Sequence, residues 1–182
     1  MRVFVALDLP DDVADGLDAL AGRLHTGRHV ASDDMHLTLA FIEDAPLHAL
    51  EELHMRLEMT TRPLPQLTLR GVDVFGSEHP RSVHVRVEGG AALSDLQSAV
   101  TRHVRRAGIA LPRRRFVPHV TLARFAARMA PDDTARVGRF LSAHGDWTWP
   151  AFTAPSLSLY QSTLSADGPR YDLLERYGAL EL

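Results

Sequence analysis

The pattern His-x-Thr occurs twice in this chain, at His36 and Thr38 and again at His119 and Thr121. The two settings are nearly the same, His-Leu-Thr-Leu-Ala in the first and His-Val-Thr-Leu-Ala in the second. An unperturbed imidazole titrates near pH ~6.5, so one histidine can act as a general base while the other acts as a general acid. This pairing suits an in-line displacement at phosphorus, in which the nucleophile enters opposite the leaving oxygen.

Other side chains near the histidines favour the same chemistry. The hydroxyls of Thr38 and Thr121 can donate to the non-bridging oxygens of a phosphate as negative charge builds there. Arg124 can donate more strongly, and bidentately. Simple alternation along a strand places Arg124 on the opposite face from His119, so it reaches the site only if the strand bulges or ends there.

Two strands must position these side chains. Both runs are short, apolar and β-branched, and both are flanked by turn residues or proline, which is typical of buried strands. Residues i and i+2 of a strand point to the same face, so each histidine shares a face with its threonine. We therefore expect two strands that line one pocket from two sides.

An internal repeat predicts how those strands meet. Nearly constant separations of 80, 83 and 85 residues join the matched pairs Val3 and Val83, His36 and His119, and Pro65 and Pro150. Each half reads strand–helix–strand–helix–strand, as expected for one unit doubled in tandem. The sequence predicts an α+β fold in which residues 1–182 form a single bilobal domain, built from repeats at about 1–78 and 79–165 plus a C-terminal strand. A cleft between the lobes is the expected ligand site.

Apolar residues at helical spacing predict four helices. The first runs from about residue 11 to 25, and the second starts near Pro46. The third ends before Gly108, and the fourth begins at Pro131. A proline in the first helical turn costs nothing, because no backbone N–H is needed there.

Composition limits the classes of protein. Of 182 residues, 45% are hydrophobic and 24% are charged, which is ordinary for a globular protein. No cysteine is present, so disulfides and thiolate metal sites are excluded and a reducing compartment is expected. The first apolar run is too short for a signal peptide, and no stretch is long enough for a membrane helix. We expect a cytoplasmic protein, and a monomer because no long apolar stripe is left unexplained.

Charge is distributed unevenly along the chain. The net charge is −3, which does not favour nucleic-acid binding by the whole molecule. Residues 101–130 nevertheless contain no Asp or Glu and eight arginines. A solvated arginine-rich face explains such a run, and so does a patch that attracts phosphates. Every basic side chain here is Arg rather than Lys, so only position can decide between the two.

Other kinds of site fit the sequence less well. A single histidine on an apolar strand is more often a core residue than a catalyst, but core packing does not explain two at matched positions. Only two histidines converge and no carboxylate lies beside them, whereas zinc normally has three or four protein ligands, so no metal site is predicted. A serine hydrolase is disfavoured because the Gly-x-Ser-x-Gly elbow is absent.

The chain resembles a known family along nearly its whole length. The matching segments are Arg-Val-Phe-Val-Ala-Leu-Asp-Leu-Pro at residues 2–10, His-Leu-Thr-Leu-Ala-Phe at 36–41, Arg-Phe-Val-Pro-His-Val-Thr-Leu-Ala-Arg at 115–124, and Leu-Tyr-Gln-Ser at 159–162 with Gly-Pro-Arg-Tyr behind it. They resemble the two-histidine (2H) phosphoesterase superfamily. Within it they are most similar to the bacterial and archaeal RNA 2′,3′-cyclic phosphodiesterases, also called 2′-5′ RNA ligases.

The resemblance implies a bilobal fold of two antiparallel sheets flanked by helices around a central cleft. It implies metal-independent opening of an RNA terminal 2′,3′-cyclic phosphate to a 2′-phosphomonoester, with no cofactor. In this likeness His36 is the general acid at the leaving 3′ oxygen, and His119 is the base that activates water. The phosphate-contacting positions correspond to Thr38, Thr121 and Arg124.

Two further positions bear on the substrate. Phe41 matches a position that stacks on a base, although core packing explains it equally well because alternation places it off the histidine face. Many relatives have a bulky aromatic in the strand after a Pro-Arg dipeptide, whereas here Pro80-Arg81 leads to Val83-His84-Val85. Substrate contacts along that strand are therefore left open.

Other functions remain open at this point. ATP-independent 2′-5′ RNA ligation is the same chemistry in reverse, with a ribose hydroxyl as nucleophile. A non-catalytic RNA-binding protein using the same cleft belongs to a different class, and it predicts salt-sensitive binding that survives loss of both histidines. A cyclic mononucleotide is a further candidate substrate.

Overall fold

The computed structural model of the chain describes residues 1–60, 63–76, 78–166 and 168–178. Within these ranges the chain forms strands and four α-helices that alternate along most of its length. The elements in chain order are β1 (Val3–Asp8), α1 (Asp11–Ala21), β2 (Arg28–His29), a 3-10 turn (Ser32–Asp34), β3 (His36–Ile42), α2 (Leu47–Glu58), β4 (Gln66–Phe75), β5 (Ser82–Glu88), α3 (Gly90–Arg106), β6 (His119–Arg124), α4 (Pro131–His144), β7 (Thr148–Thr153), β8 (Ser156–Ser165) and β9 (Gly168–Gly178).

The strands form two antiparallel sheets. Sheet A has the order β3-β1-β8-β9, and sheet B has the order β2-β6-β5-β4-β7. Strand β3 lies at the edge of sheet A and contacts β6 of sheet B, so the two His-x-Thr strands lie where the sheets meet. The predicted α+β class with two antiparallel sheets flanked by helices is confirmed.

The sheets do not coincide with the two halves of the chain. Strand β4, which ends the first half, pairs with β5 in sheet B. Strand β8, which ends the second half, pairs with β1 in sheet A. Each half of the chain therefore contributes its last long strand to the sheet that contains the first strand of the other half. Sequence periodicity cannot reveal this exchange.

Four of the five predicted helix boundaries agree with the structure, and the end of α1 does not. Helix α1 buries Val13, Leu17 and Leu20 but stops at Ala21 rather than near residue 25. Leu24 is buried too, although it lies beyond the helix. Its amide donates to the Ala21 carbonyl, a tighter bond that ends the helix without exposing the leucine.

Strands β3 and β6 each turn one face to the core and the other to the cleft. Leu37 and Leu122 are completely buried, while the histidines and threonines of the pattern are only partly buried. Burying a leucine stabilises the fold by roughly 1.5–3 kcal/mol. The apolar residues between the polar ones thus fix which face each imidazole occupies. None of the helices in the described chain is long and apolar enough to cross a membrane.

Candidate active site

A β-bulge in β3 changes which residues share the histidine face. Ala6 of β1 lies opposite Thr38, while its neighbour Val5 lies opposite Ala40, so β3 holds one extra residue between them. Such a bulge shifts the alternation by one position. Phe41 consequently returns to the face that His36 occupies. The expectation from simple alternation, which placed Phe41 off this face, is wrong.

A second β-bulge occurs in β6. His84 of β5 lies opposite Thr121, while Val83 lies opposite Ala123, so one extra residue lies between Thr121 and Ala123. Arg124 therefore returns to the face of His119. The alternation that placed Arg124 on the opposite face is corrected by this bulge.

These strands line one small cavity of about 130 Å³. Its walls contain five of the six predicted site residues together with five others, in the set Val30, Asp34, His36, Thr38, Phe75, Ser82, His119, Thr121, Arg124 and Tyr171. Phe41 lies outside this set and lines a neighbouring cavity. Both imidazoles, both threonines and the guanidinium thus surround the same space.

His36 lies in a cluster of aromatic rings. Its ring stacks on Phe4 at 4.5 Å between centroids and meets the edge of Tyr171 at 5.3 Å. Burial lowers the pKa of His36 to about 4, against an opposing hydrogen bond to the backbone of Asp34. The nearby Arg124 lowers this pKa further. His36 is therefore neutral at pH 7 in the absence of an anion.

His119 is tied to the backbone in the same way. Its Nδ1 donates to the carbonyl oxygen of Val117 at 2.7 Å, because a carbonyl can only accept. This bond fixes the proton on Nδ1 and leaves Nε2 as an acceptor. Burial lowers the pKa of His119, and Arg124 lowers it too, while the bond to Val117 opposes them. The arrangement prepares His119 to take a proton.

Asp8 forms a polar support at the end of β1, beside His36. It lies opposite His36 in the β1–β3 ladder and accepts hydrogen bonds from the hydroxyls of Ser156, Ser158 and Tyr160 at 2.5, 2.6 and 2.7 Å. Burial and the bond to Asp8 raise the pKa of Tyr160 to about 12, so its hydroxyl stays protonated. The charge of Asp8 raises the pKa of His36, in the direction a general acid requires.

Sequence reasoning missed the groups behind His119. Phe75 meets the edge of the His119 ring at 4.7 Å and stacks on His84 at 4.1 Å. His84 in turn lies 5.1 Å from His119, is 2% exposed, and buries its Nδ1 without a partner among the described residues. A histidine between two valines in an apolar strand was the available signal, but it was interpreted only as a departure from relatives.

The donor set is organised for acid–base chemistry on an anion. Among the described residues, no group of three or more His, Asp or Glu side chains is placed to hold a metal ion. Two imidazoles, two hydroxyls and one guanidinium line the cavity instead. A phosphate there would meet a base, an acid and donors for its oxygens.

Two antiparallel sheets that each bring a His-x-Thr strand to a shared cavity define the class of two-histidine phosphoesterases. A model of the 2′-5′ RNA ligase superfamily matches residues 9–162. The chain therefore belongs to the 2′-5′ RNA ligase superfamily, and the family recognised from the sequence is confirmed.

Relatives with curated names agree with this placement. The chain is 33% identical over 156 residues to an RNA 2′,3′-cyclic phosphodiesterase of Aeropyrum pernix, covering 82% of this chain and 86% of the relative. It is 25% identical over 179 residues to the Escherichia coli protein of the same name, covering 97% and 95%.

Solved structures share the fold. A Thermus thermophilus protein superposes with a TM-score of 0.79 at 24% identity, covering 98% of both chains. Escherichia coli LigT complexed with 3′-AMP superposes with a TM-score of 0.73 at 23% identity, covering 99% of this chain and 98% of LigT.

Proposed function

We propose that this protein is an enzyme that hydrolyses the terminal 2′,3′-cyclic phosphate of RNA to a 2′-phosphomonoester. The observation that carries the proposal is the shared cavity of His36 and His119, each beside its threonine. The names of the relatives support the substrate, since several are RNA 2′,3′-cyclic phosphodiesterases.

His119 is the proposed base and His36 the proposed acid. Nε2 of His119 takes a proton from a water molecule, whose oxygen forms a new bond to phosphorus. The bond between phosphorus and the 3′ oxygen breaks, and His36 donates a proton to that oxygen. The product keeps its phosphate on the 2′ oxygen, and one proton has passed from His36 to the product while another has passed to His119.

The remaining cavity residues are assigned to the phosphate. Arg124 and the hydroxyls of Thr38 and Thr121 donate to the non-bridging oxygens, where charge is greatest in the transition state. A bound phosphate also brings a negative charge next to His36, and an opposite charge within ~4–6 Å raises the pKa of an imidazole. Substrate binding therefore supplies part of the protonation that the acid needs.

The reaction needs no metal ion or cofactor in this proposal. Arg124 places a positive charge beside the bound phosphate. It takes the place that a cation occupies in many phosphoryl-transfer sites.

The direct test uses purified protein, EDTA and an RNA oligonucleotide that ends in a 2′,3′-cyclic phosphate. We expect conversion to the 2′-phosphate in the wild type and none in His36→Ala or His119→Ala. His48→Ala, which removes an exposed histidine, is the matched control and is expected to retain full activity. Equal turnover by all four proteins would exclude the mechanism.

Ligation is the second candidate, because the same groups serve the reverse reaction when a ribose hydroxyl replaces water. Adding an acceptor RNA with a 5′-hydroxyl end and separating the products distinguishes the two. A binding protein without activity predicts RNA affinity that is unchanged in both histidine variants.

A further inference from the structure

The two His-x-Thr strands pair with their neighbours in the same register, so the residues opposite the two histidines can be compared directly. In the ladder of β1 and β3, Asp8 lies opposite His36. In the ladder of β5 and β6, Arg86 lies opposite His119. Directly opposite residues of an antiparallel pair share a face, with Cβ atoms about 4.5–5.5 Å apart. One imidazole is therefore paired with a carboxylate and the other with a guanidinium.

The carboxylate of Asp8 is held in one place. Its side chain is 13% exposed. The hydroxyls of Ser156 and Ser158 donate to its Oδ2, and the hydroxyl of Tyr160 donates to its Oδ1. The guanidinium of Arg176 lies 3.4 Å from Oδ2. Since these donors belong to β8 and β9, two neighbouring strands of sheet A fix the charge beside the end of β3.

The equivalent position in sheet B is arranged differently. Arg86 is half-exposed, and its Nε donates to the carbonyl oxygen of Arg70 at 3.2 Å. Its guanidinium also lies 3.8 Å from the carboxylate of Asp73. The side chain thus contacts β4, and the position opposite His119 carries no negative charge.

Several elements contribute charged or titratable groups around His36. Burial has the largest effect on the pKa of His36 and lowers it, and the charges of Arg124 and His119 on β6 lower it too. The hydrogen bond to the backbone of Asp34, whose side chain also lines the cavity, raises this pKa, and so does the charge of Asp8. The rings that face His36 are those of Phe4, Tyr160 and Tyr171.

We propose that Asp8 is a positioning residue of the reaction, because its fixed carboxylate favours the protonated form of His36. This inference rests on the proposed function of the two histidines. A protonated imidazole is positive, so an opposite charge across the ladder stabilises it. Arg86 gives His119 no such support, and the charges of the chain itself thereby distinguish the acid from the base.

The test compares kcat over a range of pH in three variants. Asp8→Asn removes the charge but keeps the size of the side chain and one acceptor oxygen. Asp172→Asn is the matched control, since it removes a half-exposed carboxylate of the same sheet that pairs with Arg170. Ser156→Ala removes one hydrogen bond to Asp8 and leaves its charge in place. The substrate is an RNA oligonucleotide that ends in a 2′,3′-cyclic phosphate.

Loss of the carboxylate should act through the protonation of His36. In Asp8→Asn we expect the alkaline limb of the kcat profile to move to lower pH by about one unit. On that limb kcat should fall about tenfold, while below it kcat should stay close to that of the wild type. Both controls should leave the limb where the wild type has it. A loss by the same factor at every pH would indicate a merely structural role and overturn the inference.

A second variant covers the case in which Asp8→Asn does not fold. Arg176→Gln removes the cation beside Asp8 from a half-exposed position on β9. The negative charge of Asp8 is then less compensated, so the alkaline limb should move to higher pH. An unchanged limb, or a shift to lower pH, would count against the role of Asp8.

A failure of the proposed function has a different signature. NMR of protein labelled with ¹³C-histidine measures the pKa of His36 directly, with inorganic phosphate present and without any turnover. The variant His36→Ala identifies the signal by its loss. A wild type that hydrolyses no cyclic phosphate contradicts the proposed function alone. An equal pKa of His36 in the wild type and Asp8→Asn contradicts the inference about Asp8, whether or not the protein is active.

Discussion

The strands that carry His36 and His119 share a bulge at the same place and differ in the side chain at the matched position that follows it. Both bulge after the threonine, and both bring the fifth residue after the histidine back to the histidine face. In β3 that residue is Phe41, a ring, and in β6 it is Arg124, a cation. We infer that repetition supplied the acid and the base, while this one position gave one strand to stacking and the other to charge.

The two imidazoles are also hydrogen-bonded to the backbone in the same way. Each is hydrogen-bonded to the backbone of the residue two positions before it, Asp34 for His36 and Val117 for His119. Their other neighbours are different, since His36 lies among aromatic rings and His119 lies against His84. The repeat therefore matches the backbone attachment of the two rings, while their surroundings differ.

Removing either imidazole should have the largest effect, and it tests whether the two histidines are equally necessary. His36→Ala and His119→Ala are each expected to lower kcat by roughly 10²–10⁴-fold, the range for general acid–base groups. The double variant should lose little more than the worse single variant, because the two groups act as a unit. Single-turnover kinetics on an RNA that ends in a cyclic phosphate gives these rates. A single variant that keeps more than a tenth of the wild-type rate would show that its histidine is not the acid or base of the reaction.

Substituting Phe41 and substituting Arg124 should change different kinetic parameters. Arg124→Ala is expected to lower kcat by about 10²-fold, the typical loss of one donor to transition-state charge. Phe41→Ala should mainly raise KM, by roughly tenfold, because stacking on a base is worth ~1–3 kcal/mol. Steady-state kinetics on an RNA oligonucleotide separates the two, and equal effects on kcat and KM in both variants would contradict the division between stacking and charge.

The pH dependence follows from the lowered pKa values of both rings. In the free enzyme the acid His36 must be protonated, with a pKa of about 4, and the base His119 must be neutral, with a pKa below 6.5. Above both values the correctly protonated fraction falls about tenfold per pH unit, so kcat/KM should decline from pH ~6.5 upward. The kcat profile should lie at higher pH, since bound phosphate raises the pKa of His36. A flat kcat/KM between pH 6 and 8 would contradict this account.

His84 gives the smallest expected effect, on stability. Burial and the neighbouring His119 lower its pKa to about 4. Below pH ~6.5 the unfolded chain takes up a proton that folded His84 refuses, so the free energy of unfolding falls as pH drops from ~6.5 to ~4. His84→Leu removes this contribution, and it also removes a buried unpaired nitrogen. Urea unfolding at pH 5 and 7 should show a shallower pH dependence in this variant, and an unchanged dependence would contradict the prediction.

Much of the site could be predicted from local patterns in the sequence. The two-residue period of a strand is a short-range property, so the pairing of His36 with Thr38 and of His119 with Thr121 on one face was predictable. The bulge in β6 was raised only as a condition for Arg124 to reach the site, and the bulge in β3 was not predicted, because strict alternation has no place for an extra residue. The adjacent apolar pairs Leu-Ala at 39–40 and 122–123, both buried, were the available signal.

Features that depend on the pairing of distant strands could not be predicted from the sequence pattern. Repeat matching predicted tandem halves, and we infer a doubled ancestral unit from the bulges at matched positions. It did not predict that β4 and β8 change sheets, because pairing partners depend on the whole topology. The short strand β2 was also missed, since it depends on pairing with the distant strand β6. The end of α1 was missed because Leu24 keeps the apolar spacing of the helix although it lies beyond it.

The exchange of β4 and β8 has a mechanical consequence. The chain crosses between the two sheets several times, so neither sheet is built from one continuous half of the chain. A protein cut between β4 and β5 would yield two pieces, each holding a strand that the other piece needs. We infer that the separation of the two histidines is set by how the whole chain folds, before any ligand binds.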